Sequence, residues 1–293
     1  MIPEILLSAI LQTLRSEIGS HVEIISVVPV SGGDINQAFK IQTQKDAFFL
    51  KYNFANRFPG MFQTEHLGLD LLAGSKTLRI PKVISQGETD KYSWLLLEFI
   101  EQGAVTHKFW EDFGTRLADL HQNSNDLFGL EHNNYIGSLH QSNRQHINWF
   151  DFFIEERLQK QLKPAYDKGL ADKNIIAHFE NLYKVLPDIF PTENPSLLHG
   201  DLWSGNFLCD DNSRACLIDP AVYYGFREMD IAMSKLFGGF SSSFYEAYNQ
   251  AFPMAPGWQQ RIDICNLYPL LVHVNLFGWS YVGSVKSIVG RYR

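Results

Sequence analysis

The 293-residue sequence has only three cysteines, Cys209, Cys216 and Cys265, and no CxxC pair. An odd count without paired spacing gives neither a disulfide framework nor a zinc-ribbon pattern. The expectation is a reduced, cytoplasmic setting in which each cysteine is a small buried hydrophobe. Long apolar runs are also missing. None reaches the roughly 18–20 residues needed to span a bilayer, so no membrane partner is expected. Positive charge is short: 25 Lys and Arg face 32 Asp and Glu, a net charge of −7. Nucleic-acid binders usually show a basic face, so that class is disfavoured too. Internal repeats, low-complexity tracts and blocks of like charge are lacking. The opening segment MIPEILLSAILQTLRSEIG lacks a basic stretch at its start and carries Glu4 early. Ile5, Ala9 and Leu14 fall at helical spacing, so it reads as an amphipathic helix rather than a signal peptide.

What is present is apolar content, 45% of the chain, with 14% aromatic residues. That suffices for one large domain or two lobes. The segment 25–53 reads as three strands, with turns at Ser31-Gly32-Gly33 and Lys45-Asp46. A helix is predicted over 59–73, and PKVISQG and SWLLLEFIE read as two more strands. From about residue 106 the periodicity is helical, over 107–122, 147–162, 173–186, 228–236, 241–250 and 258–282. One hairpin interrupts it at 206–219. Strands followed by helices predict an α+β, two-lobed chain. The expected lobes are 1–101 and 102–293, divided near Glu101-Gln102-Gly103.

The strongest chemical signal is LLHGDLWSGNFL at 197–208, followed by LIDP at 217–220. It reads as strand, loop and hairpin. Asp201 and Asn206 share the loop, and Asp219 ends the second hairpin strand. Asp and Asn favour turns and caps in any case, so each alone reads as a turn residue. Together they bring three oxygen-bearing side chains to one cleft, as phosphoryl transfer requires. A carboxylate, Asp201, would accept the proton of an attacking hydroxyl, and Asn206 with Asp219 would hold Mg²⁺ through hard oxygen donors.

Lys51 ends the strand AFFLK. Glu65 falls inside the apolar stripe Phe62–Leu69–Leu72 of the next helix. A carboxylate on a buried face is costly unless paired, and Lys51 is the evident partner; alternatively Lys51 snorkels to the surface and Glu65 sits at the rim. In kinases such a pair orients ATP phosphates. Gly32 and Gly33 form a glycine-bearing turn one strand before Lys51, where backbone N–H groups can approach phosphate. An ordinary hairpin turn reads the same way. Glu98, Phe99 and Ile100 end the last strand before the lobe boundary. Their backbone groups are candidates for the adenine edge, or simply a core strand entering a linker. Trp203 is either a wall against substrate or packing between loop and helix. Tyr223 and Arg227 lie just beyond Asp219 and are further substrate candidates. Arg227 and Glu228 either pair with each other or contact substrate, and Asp230 is read as a cap or loop anchor. His121 and His199 are read as packing and loop-bracing residues rather than as bases.

The motifs SGGDINQAF, FFLKYN, MFQTEHLGL, HGDLWSGN and IDPAVYYGFREMDIAMSKLFGGF closely resemble the fructosamine kinase (ketosamine-3-kinase) family. That family lies within the protein-kinase-like and aminoglycoside-phosphotransferase-like group. The resemblance extends to FGL at 128–130, NYIGS at 134–138 and NLFG at 275–278. HGDxxxxN marks the whole superfamily, whereas Trp203 and DPAVYYGFRExD are specific to the ketosamine branch. Gly200 stands where protein kinases carry Arg, which suits a small-molecule kinase without activation-loop phosphoregulation. The resemblance implies a bilobal kinase-like fold and ATP with Mg²⁺ as cofactors. It also implies phosphorylation of the 3-hydroxyl of a ketosamine, free or protein-bound, whose unstable product then releases the amine. It assigns Asp201 as base, Asn206 and Asp219 as metal ligands, Lys51 and Glu65 as the ATP-positioning pair, and 98–100 as the adenine segment. A monomer is expected. The competing readings are another small-molecule hydroxyl kinase, acting on an aminoglycoside, choline or a homoserine-like alcohol, and a non-catalytic binding module of the same fold.

Overall fold

The computed structural model describes residues 2–31 and 35–292. Helix α1 (Glu4–Glu17) turns Leu6, Ile10 and Leu14 inward, one residue every turn or so. Ile5, expected on that face, is exposed. The strands β1 (Ile24–Pro29), β2 (Gln37–Thr43), β3 (Ala47–Phe54), β4 (Val83–Glu88) and β5 (Tyr92–Glu98) form one antiparallel sheet in the order β1-β2-β3-β5-β4.

Alternation along the strands splits the sheet between two cores. Phe48, Leu50, Tyr52, Trp94 and Leu96 pack against α1. Phe49, Leu95 and Leu97 point the other way and meet Phe62 and Leu69 of α2 (Met61–Gly74). Lys51 has the parity of Phe49, so it emerges on the α2 side.

Beyond Glu98 the chain is mainly helical, with α3 (His107–His121) capped by the Thr106 hydroxyl at the Phe109 N–H. Three short strand pairs interrupt the helices. The hairpin β6 (Asn134–Ile136) and β7 (Leu139–Gln141) is one. The others are β8 (Ser196–Leu198) with β11 (Tyr223–Gly225), and β9 (Phe207–Cys209) with β10 (Ala215–Leu217). Loop 199–206 runs from β8 to β9, and Asp219 lies between β10 and β11. The two strand pairs therefore fix the ends of both functional loops.

Two expected helices differ in detail. The 147–162 helix begins as α4 (Trp149–Phe152), widens into a π-helical stretch over Phe153–Leu158 and continues as α5 (Gln159–Asp167). The wider turn keeps both Phe153 and Leu158, five residues apart, in the core. After α6 (Lys173–Ile189), α7 (Glu228–Leu236) and α8 (Ser242–Ala251), the expected 258–282 helix is divided. It forms α9 (Trp258–Cys265) and α10 (Leu267–Phe277), and Gly278 ends α10 at φ +80°, a conformation costly for other residues. A 3₁₀ turn then leads into α11 (Val282–Val289). Apolar periodicity runs unbroken through these joints, so it did not register them. The three cysteines are buried and unpaired, and no described helix is long and apolar enough to cross a membrane.

Candidate active site

Strand β3 delivers Lys51 to the side of the sheet that faces α2, where the sequence pattern places Glu65. The two meet: Lys51 Nζ lies 2.7 Å from Glu65 Oε1. The same ammonium lies 2.8 Å from Asp219 Oδ1, 168 residues away in the chain. Burial disfavours the charged Lys51, but the carboxylates of Asp219 and Glu65 outweigh it and hold its pKa above the ordinary lysine value. The surface alternative for Lys51 is thus excluded, since only 5% of the residue is exposed.

The loop after β8 is held by backbone bonds to a buried carboxylate. Asp230, in the first turn of α7, accepts the His199 N–H at 2.7 Å and the Gly200 N–H at 2.9 Å. His121 Nε2 lies 3.3 Å from the same carboxylate, and His121 Nδ1 lies 2.8 Å from the Tyr248 hydroxyl. Asp230 is therefore the loop's anchor, the second of its two expected roles. His199 is braced as well: its Nε2 lies 2.9 Å from Ile218 O, and its Nδ1 accepts the Asp201 N–H at 3.3 Å. Burial lowers its pKa, which keeps the ring neutral and suits that donor–acceptor pattern. Gly200 adopts φ +83°, and a Cβ there would stand 2.0 Å from Ala221 O. The loop can press this closely on the 219–222 segment only with glycine at that point.

Asp201 emerges from this loop into a small pocket lined also by Ile136, Tyr223, Met233, Tyr268 and His273. Burial raises its pKa to about 7; the Asn206 hydrogen bond offsets part of this, and the negative charges of Asp219 and Asp230 add to it. A carboxylate with that value is suited to accept a proton near neutral pH. The Asn206 amide nitrogen donates to Asp201 Oδ2 and to Asp201 O, each at 2.9 Å. What Asn206 offers a cation is therefore its Oδ1. Asp219 sits at φ +53°, a strained conformation for a non-glycine residue, and its side chain is 45% exposed. Amide and carboxylate oxygens are the donor set that Mg²⁺ prefers, so these residues fit the expected ion.

Other sequence candidates fare differently. Tyr223 is buried and lines the Asp201 pocket, with the Arg157 guanidinium 3.9 Å from its ring centroid. Trp203 is 37% exposed and meets Phe237 edge-on at 6.2 Å, and Phe237 in turn lies 4.9 Å from the His273 ring of the pocket. Trp203 thus joins an aromatic cluster that reaches the pocket through Phe237 and His273. Arg227 is a correction. It is buried, and its guanidinium is occupied by Glu193 at 2.9 and 3.0 Å and by the carbonyls of Phe252 and Pro253. It braces the segment before β8 against the end of α8 and presents nothing to the pocket. Glu228 does not pair with Arg227; it pairs with Arg261. The expected adenine segment, Glu98 to Ile100, begins at the last residue of β5. The Glu98 N–H donates to Lys82 O and the Phe99 N–H to Ala47 O. These two amides hold the segment to its neighbours; the expectation also covers the Ile100 N–H and the segment's carbonyls. Gly32 and Gly33 lie outside the described residues. Sequence reasoning overlooked the buried amides Asn134, Gln141 and Asn143 behind the site; a dense run of Asn and Gln between two apolar segments was the available signal.

A lysine–glutamate pair joined to a metal-competent aspartate, beside a carboxylate base in an anchored loop, is an arrangement for phosphoryl transfer. Comparison with known proteins agrees. Over 270 residues, 91% of this chain and 95% of the other, the sequence is 40% identical to a "probable ketoamine kinase" of Enterococcus faecium. It is 38% identical to the chloroplastic protein-ribulosamine 3-kinase of Arabidopsis thaliana, covering 94% of this chain and 84% of that one. A crystal structure named "putative fructosamine-3-kinase", from Haemophilus somnus, superposes with a TM-score of 0.87 at 30% identity, covering 97% and 96% of the two chains. A complex of aminoglycoside phosphotransferase APH(4)-Ia with AMP-PNP and hygromycin B, at 17% identity, covers 97% and 98% with a TM-score of 0.60, a likeness of fold alone. The profile of the fructosamine kinase family matches residues 6–292, and the chain belongs to that family.

Proposed function

We propose that this protein transfers the γ-phosphoryl group of ATP to the 3-hydroxyl of a ketosamine, a sugar joined through an amine to a small molecule or a protein lysine. The observation that carries the reading is the double contact of Lys51 with Glu65 and Asp219. It ties a phosphate-positioning cation to a metal-competent carboxylate beside Asp201. In the reaction the acceptor oxygen attacks the γ-phosphorus, and its proton passes to the Asp201 carboxylate. The bond from the γ-phosphorus to the bridging oxygen breaks, and ADP leaves. Lys51, held by Glu65, orients the nucleotide phosphates. Asn206 Oδ1 and Asp219 would hold Mg²⁺, which would supply charge neutralisation at the phosphates. In this reading Tyr223 and Trp203 shape the acceptor side, and the Gly32-Gly33 turn covers the phosphates. The 3-phosphate product then decomposes and frees the amine, so the role is deglycation.

The names of the relatives favour ketosamines over other alcohols, and the proposed setting is a monomeric enzyme of the cytoplasm. The test is ADP release by purified protein with Mg-ATP, comparing a ribulosamine and a fructosamine with choline, homoserine and an aminoglycoside. Turnover is expected with the ketosamines. Phosphorylation confined to one of the other alcohols would replace the reading.

A further inference from the structure

The segment between α3 and α4 buries three amide side chains, Asn134, Gln141 and Asn143, each at most 4% exposed. Burying an amide is unfavourable unless its hydrogen bonds are met. Here they are met by the site itself. Gln141 Nε2 donates to Ala221 O at 3.0 Å and to Asn134 Oδ1 at 2.8 Å. Gln141 Oε1 accepts the Tyr268 hydroxyl at 2.6 Å. Asn134 Nδ2 donates to Val222 O at 2.8 Å.

Each of these partners borders the chemistry. Ala221 lies two residues beyond Asp219; its N–H donates to His199 O, and its carbonyl is the atom against which Gly200 is pressed. Tyr268 lines the pocket that holds Asp201. One side chain therefore touches both the segment that carries the metal-side carboxylate and the wall of the acceptor pocket. On its far side the network ends in a buried cation. Asn143 Nδ2 donates to Asn134 Oδ1, and Arg157 Nη2 donates to Asn143 Oδ1. The guanidinium lies over the Tyr223 and Tyr268 rings, which line the same pocket.

We propose that Gln141 is a positioning residue for phosphoryl transfer: its amide nitrogen sets the Ala221 peptide, and with it Asp219 relative to Asp201, while its oxygen holds Tyr268 against the acceptor pocket. Gln141 reaches none of the reacting atoms; it acts through Ala221 and Tyr268. The proposal rests on the phosphoryl-transfer reading of the site but not on which sugar is the acceptor.

Two variants separate the two arms. Gln141→Leu keeps the volume but leaves Ala221 O and the Tyr268 hydroxyl without this partner. Outer-shell losses of this kind typically cost about 10–100-fold in metal affinity or activity. The expected result is a loss of that size in Mn²⁺ affinity of the ADP complex, read by electron paramagnetic resonance, with metal-free ADP affinity unchanged. Tyr268→Phe removes one hydroxyl and keeps the ring; it should raise the acceptor KM several-fold and leave Mn²⁺ binding at the wild-type level. A folded Gln141→Leu protein with wild-type Mn²⁺ affinity overturns the proposal. So does a Tyr268→Phe protein with unchanged acceptor KM, which decides the matter if Gln141→Leu does not fold. Because Mn²⁺ binding needs no acceptor, a wild-type protein that ignores every ketosamine would refute the proposed substrate while leaving this test standing.

Discussion

Replacing Asp201 by Asn tests the assignment of the base with little change in shape. The amide oxygen can still accept from Asn206 Nδ2, as the carboxylate does at 2.9 Å. Lys51, Glu65 and Asp219 are untouched, so nucleotide affinity should stay within a few-fold of wild type. Losing the proton acceptor should lower kcat by about 10²–10⁴-fold, or about 3–5.5 kcal/mol of transition-state free energy. Stability should move the other way. Burial raises the Asp201 pKa to about 7, above its unfolded value. The group thus contributes stability that is full below the unfolded pKa and lost as pH rises through 7. Removing the ionisable proton should therefore leave the variant at least as stable as wild type at pH 8. The assays are acceptor kinetics, calorimetric titration with ADP, and thermal unfolding at two pH values. Wild-type turnover would refute the base assignment. Inactivity accompanied by a lower Tm at pH 8 would turn Asp201 into a structural residue.

Lys51→Met removes a buried ammonium and leaves Glu65 and Asp219 facing each other; kcat/KM for ATP should fall at least about 100-fold, and full activity would take Lys51 out of the site. Gly200→Ala places a side chain where φ is +83° and Ala221 O is 2.0 Å away, so it should cost about 1–2 kcal/mol from the backbone alone, more from the clash, and abolish turnover; a stable, active variant would contradict the close approach of the two loops. Glu156→Gln probes the cluster beside the π-helical stretch. Burial raises the Glu156 pKa, but hydrogen bonds from Ser142, His146 and Arg144 outweigh it and hold the carboxyl below its usual range. Its contribution, about 1–2 kcal/mol, is present above the unfolded carboxylate pKa and lost as pH falls through the depressed value. The Tm difference from wild type should be clear at pH 7 and vanish in acid; a pH-independent difference would show that charge is not involved.

The sequence revealed most where local pattern and chemistry coincide. Lys51 ends an apolar run in a strand, and helical spacing places Glu65 in the apolar stripe of the next helix, so their pairing was legible from the sequence. The HGDxxxxN loop and Asp219 were legible for the same reason, because strand–turn–strand signals bracket them. Arg227 was misjudged since proximity in sequence to Asp219 does not reveal which way a side chain turns; Glu193 and the carbonyls of Phe252 and Pro253 claim it from distant parts of the chain. That the Glu98 and Phe99 amides bond to Lys82 and Ala47 leaves no trace in residue type. The joint at Asn266 and the π-helical stretch were hidden by continuous apolar periodicity. Gln141 escaped notice because a buried amide is recognised only through its partners, and the two that border the site lie 80 and 127 residues away.

The account stands or falls on what Asp201 is placed to deprotonate. Phosphorus and proton NMR of the product formed from a ribulosamine or fructosamine with Mg-ATP measures this directly. The account predicts a phosphate coupled to the proton on the sugar's third carbon, followed by decay that releases inorganic phosphate and the free amine. A stable phosphate on another hydroxyl, or no phosphorylated sugar while ATP is consumed with a different alcohol, would contradict it.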